Sequence, residues 1–127
     1  MKEVMAVIRI NMINQTKQSL LAEGFPALNC RKVLGRGKKK LDFSLIESMV
    51  TGIEAASPVI AETITEEHRL IPKRLLSVVV KDEDVKKVVE SIIRTNSKGN
   101  PGDGKIFVMP VSDTVRIRTG ETGDQAV

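Results

Sequence analysis

The feature that most restricts the fold is a pattern that occurs twice: an apolar, β-branched run, a helical segment, and a second apolar run. Residues 2–10 (KEVMAVIRI) alternate around a Val/Ile centre and predict a strand. A helix over Ile13–Glu23 follows, with Leu20 and Leu21 on its apolar side and Gly24 placed as its C-cap. A second strand runs from Leu28 to Leu34 and ends at Gly35. In the second copy, residues 74–80 (RLLSVVV) form a strand. Asp82 is placed to cap a helix over Glu83–Thr95, with Val85, Val88, Val89, Ile92 and Ile93 on one face. A Gly-rich loop, Asn96–Gly104, leads into a fourth strand, KIFVMPV, then a short extended segment, Thr114–Thr119, and a polar tail.

The two copies repeat as architecture and not as matching residues. Together they predict an α+β fold with antiparallel sheet, the ferredoxin-like βαββαβ or split βαβ arrangement, in one domain spanning 1–127. Only 2% of the residues are aromatic, with no Trp and no Tyr, so the core must come from Val, Ile, Leu and Met. A chain this small gains apolar burial by oligomerising.

Between the copies, Arg36 to about Pro72 fits neither pattern. It opens with Gly-Arg-Gly and Lys38-Lys39-Lys40, becomes amphipathic (LDFSLIESMVTGIEAA), passes Ser57-Pro58 and closes with Glu66-Glu67. Connections this long are uncommon in compact domains and are usually functional or disordered. The composition is too apolar for a plain solvated linker. Leu41, Phe43, Leu45, Ile46, Met49, Val50 and Ile53 are candidates for a partner surface, the alternative being that they pack on the protein's own oligomer.

The single cysteine, Cys30, excludes an internal disulfide framework and a multi-cysteine metal site, and fits a reducing, cytoplasmic setting. In its strand it reads as a small packed residue. His68 is the only histidine and has no cluster of ligands beside it, so no metal site is expected. It also lacks a nucleophile or an orienting partner, so no catalytic set is expected either. No apolar run approaches the ~20 residues of a membrane span, and the N-terminus lacks a signal-peptide core.

A net charge of +4 permits phosphate-bearing ligands or nucleic acid. Gly102-Asp103-Gly104-Lys105 can bring backbone N–H groups and one ammonium around an anion, or it can simply be a turn. Arg116 and Arg118, alternating in an extended segment, would project to one side as an anion clamp or as a charged, protected edge. The run from Gly35 to Lys40 holds an anion or is a solvated loop. A basic nucleic-acid-binding module is the alternative reading, disfavoured because single-strand platforms normally add stacking aromatics.

These elements, in this order, resemble the nitrogen-regulatory P-II signal proteins over nearly the whole chain. GDGKIFV at 102–108 and VRIRTGE at 115–121 are similar to the family's nucleotide loop and tail signature. Val33-Leu34-Gly35-Arg36-Gly37 and Pro72-Lys73 match the two ends of its long T-loop. The resemblance implies a homotrimer binding ATP or ADP with Mg2+ between subunits, and 2-oxoglutarate as a second effector. By position it assigns Asn29, Gly35, Gly37, Gly102, Asp103, Gly104, Lys105, Arg116 and Arg118 to ATP. It assigns Gly37, Lys39 and Lys73 to 2-oxoglutarate. The T-loop would span about 36–72, the nucleotide loop about 96–105 and the C-terminal segment 112–127.

This chain departs from the family pattern at several places. With no Tyr it cannot carry the tyrosine modified in many bacterial members. Its T-loop is longer, Lys39 replaces a usual glutamine, and Ser77 replaces a glutamate often found near the adenine. An enlarged T-loop without that tyrosine resembles the archaeal nitrogen-fixation branch. That likeness implies a regulatory protein, not an enzyme, acting with a sister P-II protein on a nitrogen-metabolism target, nitrogenase.

Overall fold

Strand alternation decides which side of the chain is inside. The structure, a computed structural model, describes residues 1–37 and 70–127. Its elements in chain order are β1 (Lys2–Arg9), α1 (Ile13–Ala22), β2 (Asn29–Gly35), β3 (Ile71–Val80), α2 (Val85–Asn96) and β4 (Lys105–Pro110). The strands form one antiparallel sheet in the order β2-β3-β1-β4, the predicted α+β, ferredoxin-like fold.

On β1 the residues Val4, Ala6 and Ile8 are buried, and on β3 so are Leu76, Val78 and Val80. They meet Leu20 of α1 and Val88 and Ile92 of α2 in a single core cluster. Fully burying each such side chain contributes about 1.5–3 kcal/mol. Both helices therefore lie on one face. Among the described residues, the other face, carrying Met5, Val7, Leu75, Val79, Phe107 and Met109, has no helix over it.

α1 ends as its sequence predicts. Gly24 takes φ +95, its N–H bonds to Leu21 O at 3.0 Å and the Phe25 N–H to Leu20 O at 2.8 Å, which is a Schellman stop. Between the helices, the Ser19 and Ser91 hydroxyls are 2.6 Å apart. Deeper, the Asn96 amide donates to Thr16 Oγ1 (3.0 Å) and to Ile92 O (2.9 Å).

Several expectations are corrected. β3 begins at Ile71, so Pro72 lies inside it. The β1 ladder stops at Arg9↔Lys73, so among the described residues β3 has β2 as its one neighbour there, and a strand with one neighbour is where a proline is tolerated. Asp82 caps no helix. It opens a 3-10 turn, Asp82–Asp84, makes no capping bond, and sits 2.9 Å from the N-terminal ammonium. Asn96 belongs to α2 and is buried rather than opening the Gly-rich loop. Cys30 is exposed, because β2 is an edge strand beyond the cover of the helices.

Candidate functional site

β1 and β2 run parallel to each other, with β3 antiparallel between them and β4 antiparallel on the far side of β1. One end of the sheet therefore collects the ends of β1 and β2 and the starts of β3 and β4. This topology brings Gly35 and Gly37, Lys73, and the loop ending in Gly104-Lys105 to the same end. Val33, Lys73 and Arg9 lie in one cross-strand row; Arg31, Leu75, Val7 and Lys105 form the next. All seven point to the face opposite the two described helices, because paired residues share a side. Arg9, Arg31, Lys73 and Lys105 thus make a cationic patch on that face.

The loop before β4 is held by Arg9, which sequence reasoning did not select, and by Asp103. Arg9 donates to Asp103 Oδ1 at 2.7 Å and to Pro101 O at 3.3 Å. The other carboxylate oxygen of Asp103 accepts the Lys98 N–H (2.8 Å) and the Asn100 N–H (3.2 Å). The Lys98 N–H first, and the Arg9 guanidinium next, hold the Asp103 carboxyl down to about 2. Asp103 is thereby the brace of this loop, with its acceptors turned inward.

Gly104 adopts φ +120, and a Cβ built there would stand 2.2 Å from Val7 O. That contact permits only glycine, and it presses the loop onto the end of β1. The signal for Arg9 was an arginine closing the first strand. Its partner lies 94 residues on, beyond any local pattern.

Asn29 sits further along β2, in the row Asn29, Ser77, Met5, Phe107. The Ser77 hydroxyl donates to Glu3 Oε2 at 2.6 Å, so a carboxylate stands beside Asn29 on the same face.

The arginine pair lies elsewhere. After β4 the Val111 N–H bonds to Met1 O (3.3 Å) and Thr114 Oγ1 to Met1 Sδ (2.9 Å), which anchors the C-terminal segment at the start of β1. The loop is anchored at the end of the same strand, roughly 25 Å away at about 3.3 Å per residue. The expected extended run also turns back on itself. Val115 bridges Thr122, and the N–H groups of Thr119 and Gly120 bond to Arg116 O. Arg116 is engaged within the segment, donating to Glu121 Oε2 (2.6 Å) and Gln125 O (3.0 Å), whereas Arg118 is exposed at the tip. One chain brings Gly35, Gly37, Lys73, Gly102, Gly104 and Lys105 to a single end of the sheet and leaves Arg116 and Arg118 on a segment fixed at the other.

Two cavities flank the loop end. One of about 370 Å³ lies between α2 and the β1–β4 side of the sheet, walled by Ile8, Val89, Ile92, Ile93, Ile106 and Val108 and rimmed by Gly104 and Lys105. The other, about 380 Å³, is lined by Ile10, Leu34, Pro72, Lys32 and Arg74 at the β2–β3 end. Lys39, His68 and the candidate partner residues Leu41, Phe43, Leu45, Ile46, Met49 and Val50 lie outside the described residues. Among the described residues no group of His, Cys, Asp and Glu could hold a metal ion, and no helix is long and apolar enough to cross a membrane.

Comparison with known proteins identifies the family. The sequence profile of the family described as "Nitrogen regulatory protein P-II" matches residues 1–121. "Nitrogen fixation nifHD region GlnB-like protein 2" of Methanobacterium ivanovii is 45% identical over 130 residues, covering 100% of this chain and 99% of its own. The protein of the same description from Methanothermobacter marburgensis is 45% identical over 127 residues, covering 100% of both chains. "Nitrogen regulatory protein P-II" of Cereibacter sphaeroides is 32% identical over 127 residues, again covering 100% of both. With the profile spanning both halves of the sheet and the loop between helix and fourth strand, the chain belongs to the nitrogen regulatory protein P-II family, and it is similar to the nitrogen-fixation-region members of methanogenic archaea.

Proposed function

We propose that this nitrogen-regulatory signal protein binds ATP or ADP, with Mg2+ and 2-oxoglutarate, in clefts between the subunits of a homotrimer. Their state would pass through the T-loop, about 36–72, to a cytoplasmic nitrogen-metabolism target, nitrogenase, with a sister P-II protein as co-regulator. The names of the methanogen relatives, which place those proteins in a nitrogen-fixation region, support the choice of target.

The observation that carries the nucleotide site is the separation of its parts. A polyphosphate needs several cations at once, and in one chain Lys105 and the Arg116–Arg118 segment are anchored at opposite ends of β1. Two copies side by side would bring the arginine segment of one to Lys105 of the other. The helix-free sheet face, with Met5, Val7, Leu75, Val79, Phe107 and Met109, supplies the apolar surface that such an assembly would bury.

In the cleft, the N–H groups around Gly102 and Gly104 and the Lys105 ammonium take the phosphates, with Arg118 joining from the neighbouring copy. Gly35 and Gly37 line the base of the T-loop, and Asn29 meets the base or ribose. Glu3, fixed by Ser77, supplies a carboxylate beside it. Asp103 keeps the loop in shape, with three of its carboxylate's roughly four acceptor sites taken by Arg9, Lys98 and Asn100. Mg2+, when bound with the nucleotide, would supply charge neutralisation for its phosphates. Lys73 and, outside the described residues, Lys39 hold the carboxylates of 2-oxoglutarate with Gly37.

Signalling follows if the effectors bind the T-loop states with different affinity, since tight binding alone shifts nothing. Calorimetric titration of Mg-ATP, with and without 2-oxoglutarate, tests the reading. The expected result is ATP binding strengthened by 2-oxoglutarate and weakened by Lys105→Ala or Arg118→Ala, with the oligomer intact. Unchanged affinity in both variants would remove the assignment, and binding of nucleic acid in place of ATP would promote the alternative module.

A further inference from the structure

Ile117 is 100% exposed. It stands between Arg116 and Arg118 on a turn closed by Arg116 O, which accepts the N–H groups of Thr119 (3.3 Å) and Gly120 (2.7 Å). A branched aliphatic side chain held out at the tip of a tight turn buries nothing in its own chain. Behind it Val115, 59% exposed, extends the same apolar spine.

The cavity between α2 and β4 is its complement. Its walls are aliphatic, Ile8, Val89, Ile92, Ile93, Ile106 and Val108, and its mouth is open at Ile93 (51% exposed) and Val108 (45% exposed). Its rim is Gly104-Lys105, the stretch that the proposed nucleotide site uses. Any arrangement bringing Arg118 of one copy to Lys105 of another carries Ile117 along, because consecutive Cα atoms are about 3.8 Å apart.

We propose that Ile117 of one copy seats in the α2–β4 cavity of the next, as a knob that locks the two halves of each nucleotide site together. The inference rests on the shared-site reading above and adds its apolar component. The occupant is a second copy of this chain. Each copy offers one knob and one socket on different surfaces, so the contact is heterologous, the type from which closed rings are built when the rotation between copies closes.

Charge makes the lock conditional. Lys105 and Arg118 are both cations, and docking sets them against one another across the rim. An anion between them removes the repulsion, so a bound nucleotide tightens the seat, and an empty site loosens it.

The test uses the full-length chain in a Cys30→Ser background. Ile117→Cys is combined with Ile93→Cys at the cavity mouth, or with Leu21→Cys on α1 as a control, and oxidised with Mg-ATP present. The expected result is intermolecular disulfides, up to a covalent ring, in the Ile93 pair and not in the Leu21 pair. Without ATP the yield should fall several-fold. Separately, Ile117→Asp should weaken Mg-ATP binding about tenfold and Ile117→Val by less than about twofold.

An oligomer that still binds Mg-ATP, with no excess cross-linking at Ile93 and with Ile117→Asp behaving as the unaltered protein, overturns the knob and leaves the shared site standing. A monomer on size exclusion that binds Mg-ATP with full affinity overturns both.

Discussion

Replacing Gly104 by alanine isolates a place where backbone closely approaches backbone at the candidate site. The added Cβ would lie 2.2 Å from Val7 O, 3.3 Å from Val7 C and 3.5 Å from Ile8 Cα. Carbon to carbonyl-oxygen contacts normally stop at about 3.3 Å, so something must move by about 1 Å. Val7 cannot recede, because it is laddered to Leu75 on one side and to Lys105 on the other. The strain of a side chain at φ +120 is about 1–3 kcal/mol, and the loss of one or two ladder bonds adds about 1 kcal/mol each. The sum is about 3 kcal/mol. Gly99→Ala is the matched control: its φ is +75 and nothing lies within 4 Å of the added carbon, so it should cost about 1 kcal/mol. Urea unfolding of both variants, at one protein concentration because assembly contributes to stability, measures the difference. If the two variants fall within about 0.5 kcal/mol of each other, the close approach to Val7 does not shape this loop.

Other substitutions follow from the same contacts. Arg9→Ala removes the guanidinium that ties Asp103 and Pro101 to the end of β1. It should weaken Mg-ATP binding about fivefold by titration, consistent with ~1 kcal/mol for a partly exposed ion pair, and leave thermal unfolding of the sheet little changed. Asp103 titrates near 2 when folded against an ordinary 3.8, so its contribution to stability is present above 3.8 and is lost as pH falls toward about 2. Asp103→Asn should therefore be less stable than the unaltered protein above pH 3.8, and the gap in urea midpoints should close below about pH 2. Thr16→Val takes the hydroxyl acceptor from the buried Asn96 amide and should cost about 1–3 kcal/mol by the same denaturation.

What could be read from sequence divides by how far apart the determining residues lie. The strands of Val4, Ala6 and Ile8 and of Leu76, Val78 and Val80 were legible because burial repeats every second residue. The helix stop at Gly24 was legible because its cause is local. Pro72 misled: the rule against proline in strands assumes neighbours on both sides, and β3 outlasts β1 by two residues. Asp82 looked like a cap because an acid before a helix usually is one, but it is drawn to the ammonium of Met1.

At the candidate site, the glycines and Lys105 were nominated by a local motif and the family resemblance, while the bracing contacts of Asp103 were not legible. Its carboxylate is consumed by Arg9, at the far end of the sequence. Nor does alternation of Arg116 and Arg118 survive, because Gly120 at φ +74 lets the chain fold back before a strand is established. The family resemblance fixed the inventory of residues, and the topology decided which of them can meet within one copy.

The register of β1 bears on how the chain assembles in time. Its partners are β3, at 71–80, and β4, at 105–110, with no hairpin to either. The strand made first is therefore the last to acquire both neighbours. At translation rates of roughly 5–20 residues per second, β1 waits about 5–20 seconds after synthesis before β4 exists to cover it. Pairings this distant in sequence also fold slowly. Over that interval Met5, Val7 and the bare edges of β1 are open to any passing strand. Release of a chain broken off before β4 would leave an edge prone to aggregate, so quality control of this protein is decided from Lys105 onward.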